Sequence, residues 1–132
     1  MGSMLVLVIG PDWRMRRLIQ ANLEAFGFKV RAAVNGRHGL HTVSEGEPDL
    51  ILLDTEVPDA QLDHLVARLR GQVMKPVPII VLTAELPAGR TRRDGAQIRY
   101  LLKPFAVLSL LDQVRTALQA SPTENGSGTR DT

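Results

Sequence analysis

The sequence predicts an α/β fold in which a five-stranded parallel sheet is doubly wound, with helices on both of its faces. Short apolar runs alternate along the chain with amphipathic segments of helical period. Short loops join them, which favours parallel strands and right-handed crossovers. Most of the apolar runs lack polar alternation, as strands buried on both faces do. Ligands of such open sheets bind beyond the carboxyl ends of the strands, so functional groups are expected there.

The first half of the chain begins with two strands and two helices. Leu5–Ile9 (LVLVI) is a continuous apolar run and predicts a buried strand. The segment after it predicts an amphipathic helix that ends at Gly27. Lys29–Ala33 (KVRAA) alternates as an edge strand does, Asn35-Gly36 predicts a turn, and Gly36–Ser44 predicts a second helix. The inward faces are Met15, Leu18, Ile19, Asn22, Leu23 and Phe26 in the first helix, and Leu40 and Val43 in the second.

The rest of the chain predicts three more strands, at Asp49–Leu53, Pro78–Leu82 and Arg99–Leu102. Apolar residues at helical spacing predict one helix after the third strand and another at the end of the domain. Their stripes are Leu62, Leu65, Val66 and Leu69, and then Val107, Leu110, Leu111, Val114 and Leu118. Between the fourth and fifth strands, ELPAGRTRRD contains Pro87 and Gly89 and has no apolar stripe. The helix expected between these strands is therefore predicted to be shortened or irregular.

Length and composition indicate one domain and exclude several kinds of site. The 132 residues suit a single domain, which we place at residues 4–119. Residues 1–3 are interpreted as a cloning scar, and the polar residues 120–132 as a disordered tail or linker. The chain has no cysteine, which excludes disulfides and thiolate metal sites, and no apolar run reaches the length of a membrane span. A cytoplasmic protein is expected, and its net charge of +2 does not favour nucleic-acid binding.

Polar side chains of complementary type follow the last three predicted strands. Asp54 follows the third strand, Thr83 the fourth and Lys103 the fifth. Parallel strands place all three at one edge of the sheet, so a carboxylate, a hydroxyl and an ammonium are expected to meet there. Such a trio can accept a phosphoryl group, because the carboxylate attacks phosphorus while the other two groups hydrogen-bond to the equatorial oxygens. A divalent metal ion normally assists this chemistry.

These polar residues lie in segments that resemble the signatures of response-regulator receiver domains of two-component signalling. The segments are DLILLDTEVPD around Asp54, VLTA (Val81–Ala84) and YLLKPF (Tyr100–Phe105). The resemblance spans residues 4–119. It implies a flavodoxin-like sheet with the strand order 2-1-3-4-5.

The resemblance also implies roles for individual residues. Asp54 would be the phosphoacceptor, and Thr83 and Lys103 the catalytic hydroxyl and amine. Thr83 and Tyr100 would form the switch that responds to phosphorylation, and the peptide bond before Pro104 would be cis. The implied cofactor is Mg²⁺, with none bound if the site is not functional. The implied partners are a histidine kinase or another signalling protein, an output domain beyond the tail, or a second copy of the chain in a homodimer.

The sequence departs from the receiver pattern just after the first strand. Receivers usually carry two adjacent acids there that hold Mg²⁺, and here the matching residues are Gly10 and Pro11. Asp12 comes one residue late and is interpreted as a helix N-cap, with a displaced metal ligand as the alternative. Glu56 is a second candidate ligand, with a solvated loop residue as its alternative interpretation. Loss of two carboxylates is expected to weaken metal binding greatly, because Mg²⁺ requires oxygen ligands in octahedral order.

Three functional hypotheses follow from these residues. The preferred one is a pseudo-receiver, a receiver-like signalling domain in which phosphorylation of Asp54 is impaired or lost. The alternative is a working receiver that uses Asp12 or Glu56 as a replacement metal ligand. A small α/β enzyme or nucleotide binder ranks last, because the chain has no glycine-rich phosphate loop. No enzymatic activity is expected beyond self-phosphorylation from a phosphodonor and autodephosphorylation.

Overall fold

The fold is a five-stranded parallel sheet in the order β2-β1-β3-β4-β5, with two helices on each face. The structure is a computed structural model and describes residues 3–86 and 97–120. Its elements are β1 (Leu5–Ile9), α1 (Trp13–Ala25), β2 (Lys29–Ala33), α2 (Gly36–Glu45), β3 (Leu50–Asp54), α3 (Leu62–Gln72), β4 (Ile79–Thr83), β5 (Ile98–Leu102) and α4 (Val107–Gln119). The predicted fold class and strand order are confirmed. The predicted irregular turn between β4 and β5 and the predicted disordered tail lie almost entirely outside the described residues.

The core has two layers because successive residues of the buried strands point to opposite faces of the sheet. Helices α2 and α3 cover one face, where Leu7, Ile51 and Leu53 are among the buried side chains. Helices α1 and α4 cover the other face, which includes Val8 and Leu52. Every residue of β3 and β4 is buried, as the unbroken apolar runs predict. Among the helices that the structure describes, none has the length and hydropathy of a membrane span.

Local signals at the helix ends explain where α1 and α2 begin and end. Asp12 caps α1, because its carboxylate accepts a hydrogen bond from the backbone N–H of Arg14 at 2.9 Å. Gly27 follows the helix with a φ of 96°, a conformation that glycine adopts without strain. The predicted stripe of α1 is too wide, since Leu18 and Phe26 are about half exposed. In α2, the predicted inward residues are buried, and Asn35 caps the helix by accepting from the N–H of His38 at 2.8 Å.

Asp59 ties the loop after β3 to the start of α2. One of its oxygens accepts from the N–H of Arg37 at 2.9 Å and the other from the N–H of Gly36 at 2.8 Å. These two backbone hydrogen bonds, that of Arg37 first, hold the pKa of the Asp59 carboxyl below its usual value of 3.8. The charged form of Asp59 is therefore the form that stabilises the folded chain.

Replacement of Asp59 by alanine should lower the free energy of unfolding by about 1 kcal/mol at pH 7, the usual effect of losing a helix cap. Because the folded pKa is depressed, this contribution is complete above the unfolded value of 3.8 and is lost as the pH falls through the folded pKa. Urea unfolding at pH 7 and at pH 3 should show the gap between the two proteins closing at the lower pH. The exposed Asp112→Ala variant serves as the control, and an equal gap at both pH values would contradict this role for Asp59.

Candidate functional site

The carboxyl ends of β3, β4 and β5 bring the predicted polar residues to one edge of the sheet. Asp54 and Thr83 are the last residues of β3 and β4, so each strand ends one residue later than the sequence predicts. Asp54 pairs with Leu82 and Thr83 pairs with Leu102 in the sheet. Lys103 follows β5 directly, and its backbone N–H donates to the carbonyl of Thr83 at 2.7 Å. The edge of the sheet therefore positions Lys103 through its main chain as well as through its side chain.

Asp54 and Lys103 form the ion pair at the centre of this edge. The Nζ of Lys103 lies 3.1 Å from Oδ1 and 3.1 Å from Oδ2 of Asp54. The side chain of Asp54 is 2% exposed and that of Lys103 is 20% exposed. Oδ1 also accepts a hydrogen bond from the backbone N–H of Glu56 at 2.7 Å. A carboxylate this deeply buried requires such partners, because desolvation without them is costly.

The two candidate replacement ligands, Glu56 and Asp12, differ in position. Glu56 is 70% exposed at its side chain, yet its Oε2 lies 3.7 Å from Lys103 Nζ. Its carboxylate therefore turns towards the site. Asp12 caps α1 through its side chain, as its first interpretation predicts. It lines the same surface cleft as Glu56 and Lys103.

Thr83 and Tyr100 each make contacts of their own. The hydroxyl of Thr83 donates to the carbonyl of Glu85 at 2.8 Å and accepts from the N–H of Glu85 at 3.2 Å. These bonds close a local turn around a side chain that is itself buried. Tyr100 is half-buried and packs against the core layer beneath α2 and α3. The peptide bond between Lys103 and Pro104 is cis, as the resemblance implies.

Gly10 comes very close to Asp54. An ideal Cβ built on Gly10 would lie 3.0 Å from Cβ and 3.6 Å from Oδ2 of Asp54. The carbonyl of Gly10 accepts a hydrogen bond from Nη1 of Arg16 at 2.8 Å. A guanidinium is thus fixed to the residue that faces the carboxylate. Arg16 lies in α1, and the sequence carries no signal for this contact.

The residues present do not fit the Mg²⁺ ion that this chemistry normally uses. Mg²⁺ prefers carboxylate and other oxygen ligands in octahedral order. In residues 3–86 and 97–120, no three His, Cys, Asp or Glu side chains are grouped so as to hold a metal ion. Both oxygens of Asp54 already accept from Lys103, and Gly10 and Pro11 carry no ligating side chain. The ammonium group of Lys103 therefore contacts Asp54 at a place where a metal-dependent site needs several carboxylates.

A comparison of the chain with known proteins assigns it to a family. Residues 6–115 match the family model described as the response regulator receiver domain. The chain belongs to this family. Among curated relatives of this receiver, the transcriptional regulatory protein CusR of Escherichia coli K12 is 36% identical over 119 residues, which cover 88% of this chain and 52% of CusR. The uncharacterized transcriptional regulatory protein YkoG of Bacillus subtilis is 33% identical over 128 residues, covering 96% of this chain and 54% of YkoG.

Solved structures agree with this assignment. The chemotaxis response regulator CheY4 of Vibrio cholerae superposes with a TM-score of 0.77 at 26% identity, covering 87% of this receiver and 98% of that chain. A CheY-like receiver from Methanospirillum hungatei has a TM-score of 0.80 over 96% of this receiver and 99% of that chain, and at 19% identity it supports the fold alone. This receiver spans about half the length of the curated relatives that it matches.

Proposed function

We propose that this domain is a pseudo-receiver, which keeps the receiver fold and signals through protein contacts while metal-dependent phosphorylation of Asp54 is impaired or lost. The observation that carries the proposal is the ion pair of Asp54. Lys103 Nζ lies within hydrogen-bond distance of both carboxylate oxygens. A fixed ammonium therefore neutralises the charge of Asp54 without a divalent ion.

The chemistry of phosphoryl transfer supports the same conclusion. One carboxylate oxygen must be free to attack phosphorus, and positive groups must be in place around the equatorial oxygens. Oδ1 of Asp54 already accepts from Glu56 and Lys103, and Oδ2 accepts from Lys103. The hydroxyl of Thr83, in the position of the switch, is bonded to the backbone of Glu85. These contacts would have to break before Asp54, Lys103 and Thr83 could act together on a phosphoryl group.

A working receiver is the second candidate, and Glu56 is the observation that favours it. Its carboxylate lies 3.7 Å from Lys103 Nζ, so it reaches the same edge as Asp54. A small rearrangement of Lys103 would leave two carboxylates facing one space. Asp12 is less suited to this role, because its Oδ1 is engaged in capping α1. Two carboxylates still fall short of the ligand set that tight Mg²⁺ binding requires.

The proposed partners are proteins. CusR and YkoG are transcriptional regulatory proteins of about twice the matched length. By analogy with them, this domain would pass a signal between a histidine kinase or another signalling protein and an output domain. It would have no enzymatic activity of its own beyond, at most, phosphoryl transfer to itself and autodephosphorylation.

Intact mass spectrometry after incubation with acetyl phosphate and Mg²⁺ tests the proposal. The wild-type chain should gain no stoichiometric phosphoryl group, because its carboxylate is held by Lys103 and its metal ligands are too few. The Asp54→Asn variant is the matched control, since it removes the acceptor and changes few atoms. One phosphoryl group per wild-type chain, absent from Asp54→Asn, would refute the pseudo-receiver and favour the working receiver.

A further inference from the structure

A second cleft lies between α2 and α3, on the face of the sheet opposite α1 and α4. It has a volume of about 410 Å³, and Leu40, Ala60 and Leu65 supply much of the apolar part of a largely polar lining. Small-molecule sites in proteins are commonly clefts of about 300–1,000 Å³, and the volume of this cleft lies within that range. The size of the cleft fits a molecule such as a nucleoside monophosphate.

The charged groups around this cleft are mainly basic. Arg37 lines it from α2, while His64 and Arg68 line it from α3, one helical turn apart. Asp59 is the one acid among the described residues that line it. Its two oxygens each accept a backbone N–H of α2, which partly neutralises its charge. Neither His64 nor Arg68 is hydrogen-bonded or ion-paired to another residue that the structure describes.

We propose that this cleft binds a small phosphorylated metabolite, with Arg68 and Arg37 holding the phosphate and the apolar lining residues contacting the organic part. Arginine presents a planar set of donors that matches phosphate oxygens in pairs, and such charge-assisted bonds are among the stronger ones in proteins. Gln61 lines the cleft and is the residue that precedes α3, and its side chain makes no capping hydrogen bond. The backbone N–H groups of the first turn of α3 therefore add to the positive potential beside the cleft.

The cleft would give this receiver an input that does not depend on phosphorylation. Its wall includes Asp59 and Gln61, in the loop that leads from Asp54 at the end of β3 to α3. A ligand in the cleft would thus contact the same loop whose Glu56 N–H donates to Asp54. The proposal stands independently of the proposed loss of phosphorylation, since neither Asp54 nor Lys103 lines the cleft.

Titration of the ¹⁵N-labelled chain with adenosine monophosphate and with inorganic phosphate tests the proposal. Both should shift the backbone amides of Gly36, Arg37 and Leu65 in a saturable way, and adenosine alone should not. Arg68→Gln should weaken binding at least about tenfold, as expected for the loss of a charge-assisted hydrogen bond. Arg115→Gln removes the same charge from α4 on the opposite face and should leave the affinity unchanged.

Two results would overturn the proposal. One is the absence of saturable shifts with either compound up to about 10 mM, a concentration that would reveal even weak binding. The other is equal affinity in wild type and Arg68→Gln, because the phosphate would then lie elsewhere. Should Arg68→Gln fail to give a folded spectrum, Arg37→Gln takes its place, since only the backbone N–H of Arg37 bonds to Asp59.

Discussion

Replacement of Lys103 by methionine should lower the free energy of unfolding by about 2–3 kcal/mol, because it leaves a buried carboxylate without its cation. Asp54 is 2% exposed at its side chain and would retain the N–H of Glu56 as its described hydrogen-bond partner. Methionine has nearly the same length and fills the same space, so lost packing contributes little. Urea unfolding at pH 7 measures the difference in the free energy of unfolding. The slope of this free energy against urea concentration should be the same in both proteins.

Asp54→Asn in the same experiment separates charge from packing. This variant should lower the free energy of unfolding by less than Lys103→Met does. The lysine side chain is 20% exposed, so its ammonium can be solvated when Asp54 loses its charge. The double variant, which carries both changes, should recover much of the loss, since neither charge then remains buried. A Lys103→Met variant as stable as wild type, or strictly additive losses in the double variant, would contradict a stabilising ion pair.

Restoring two acids after β1 should create Mg²⁺ binding. The Gly10→Asp/Pro11→Asp variant supplies the carboxylates that the wild-type residues lack, and its affinity for Mg²⁺ should rise at least about tenfold. An ideal Cβ at Gly10 lies 3.0 Å from Cβ of Asp54, so Asp54 must shift by a few tenths of an ångström.

The matched control for this gain is Gly10→Asn/Pro11→Asn, which has the same shape without the charges. Trp13 begins α1, three residues after Gly10, and its fluorescence can follow the titration alongside calorimetry. Only the Gly10→Asp/Pro11→Asp variant should show a saturable change in fluorescence and a saturable binding heat as Mg²⁺ is added. Equal Mg²⁺ affinity in wild type and in the aspartate pair would mean that the residues after β1 do not limit metal binding.

Much of the fold follows from local patterns in the sequence. The runs at β3 and β4 are apolar at nearly every position because helices cover both faces of the sheet there. Once parallel strands are inferred, the meeting of Asp54 with Lys103 follows from topology, although they lie 49 residues apart. Strand ends were less predictable, since Asp54 and Thr83 pair within ladders despite their polarity.

The finer features of the site depend on contacts that have no local signal. The link from Asp59 to the start of α2 joins residues 23 apart, and nothing in the intervening sequence encodes it. Arg16 follows Gly10 by six residues, yet only the path of the chain from β1 into α1 brings its guanidinium to that carbonyl. The orientation of the Thr83 hydroxyl towards Glu85 likewise depends on rotamer and turn geometry. Sequence patterns therefore predict which residues meet at this edge of the sheet but do not determine which of them are already paired.

The backbone amide of Glu56 gives the most direct measure of whether the Asp54 site accepts a metal ion. Its N–H donates to Oδ1 of Asp54 at 2.7 Å, so any ion that binds this carboxylate must change its NMR shift. Titration of the ¹⁵N-labelled wild-type chain with Mg²⁺ up to about 10 mM, a range that detects even millimolar dissociation constants, should leave that resonance in place apart from a small linear drift. A saturable shift of the Glu56 amide, lost in Asp54→Asn, would show instead that Lys103 yields its place to the metal.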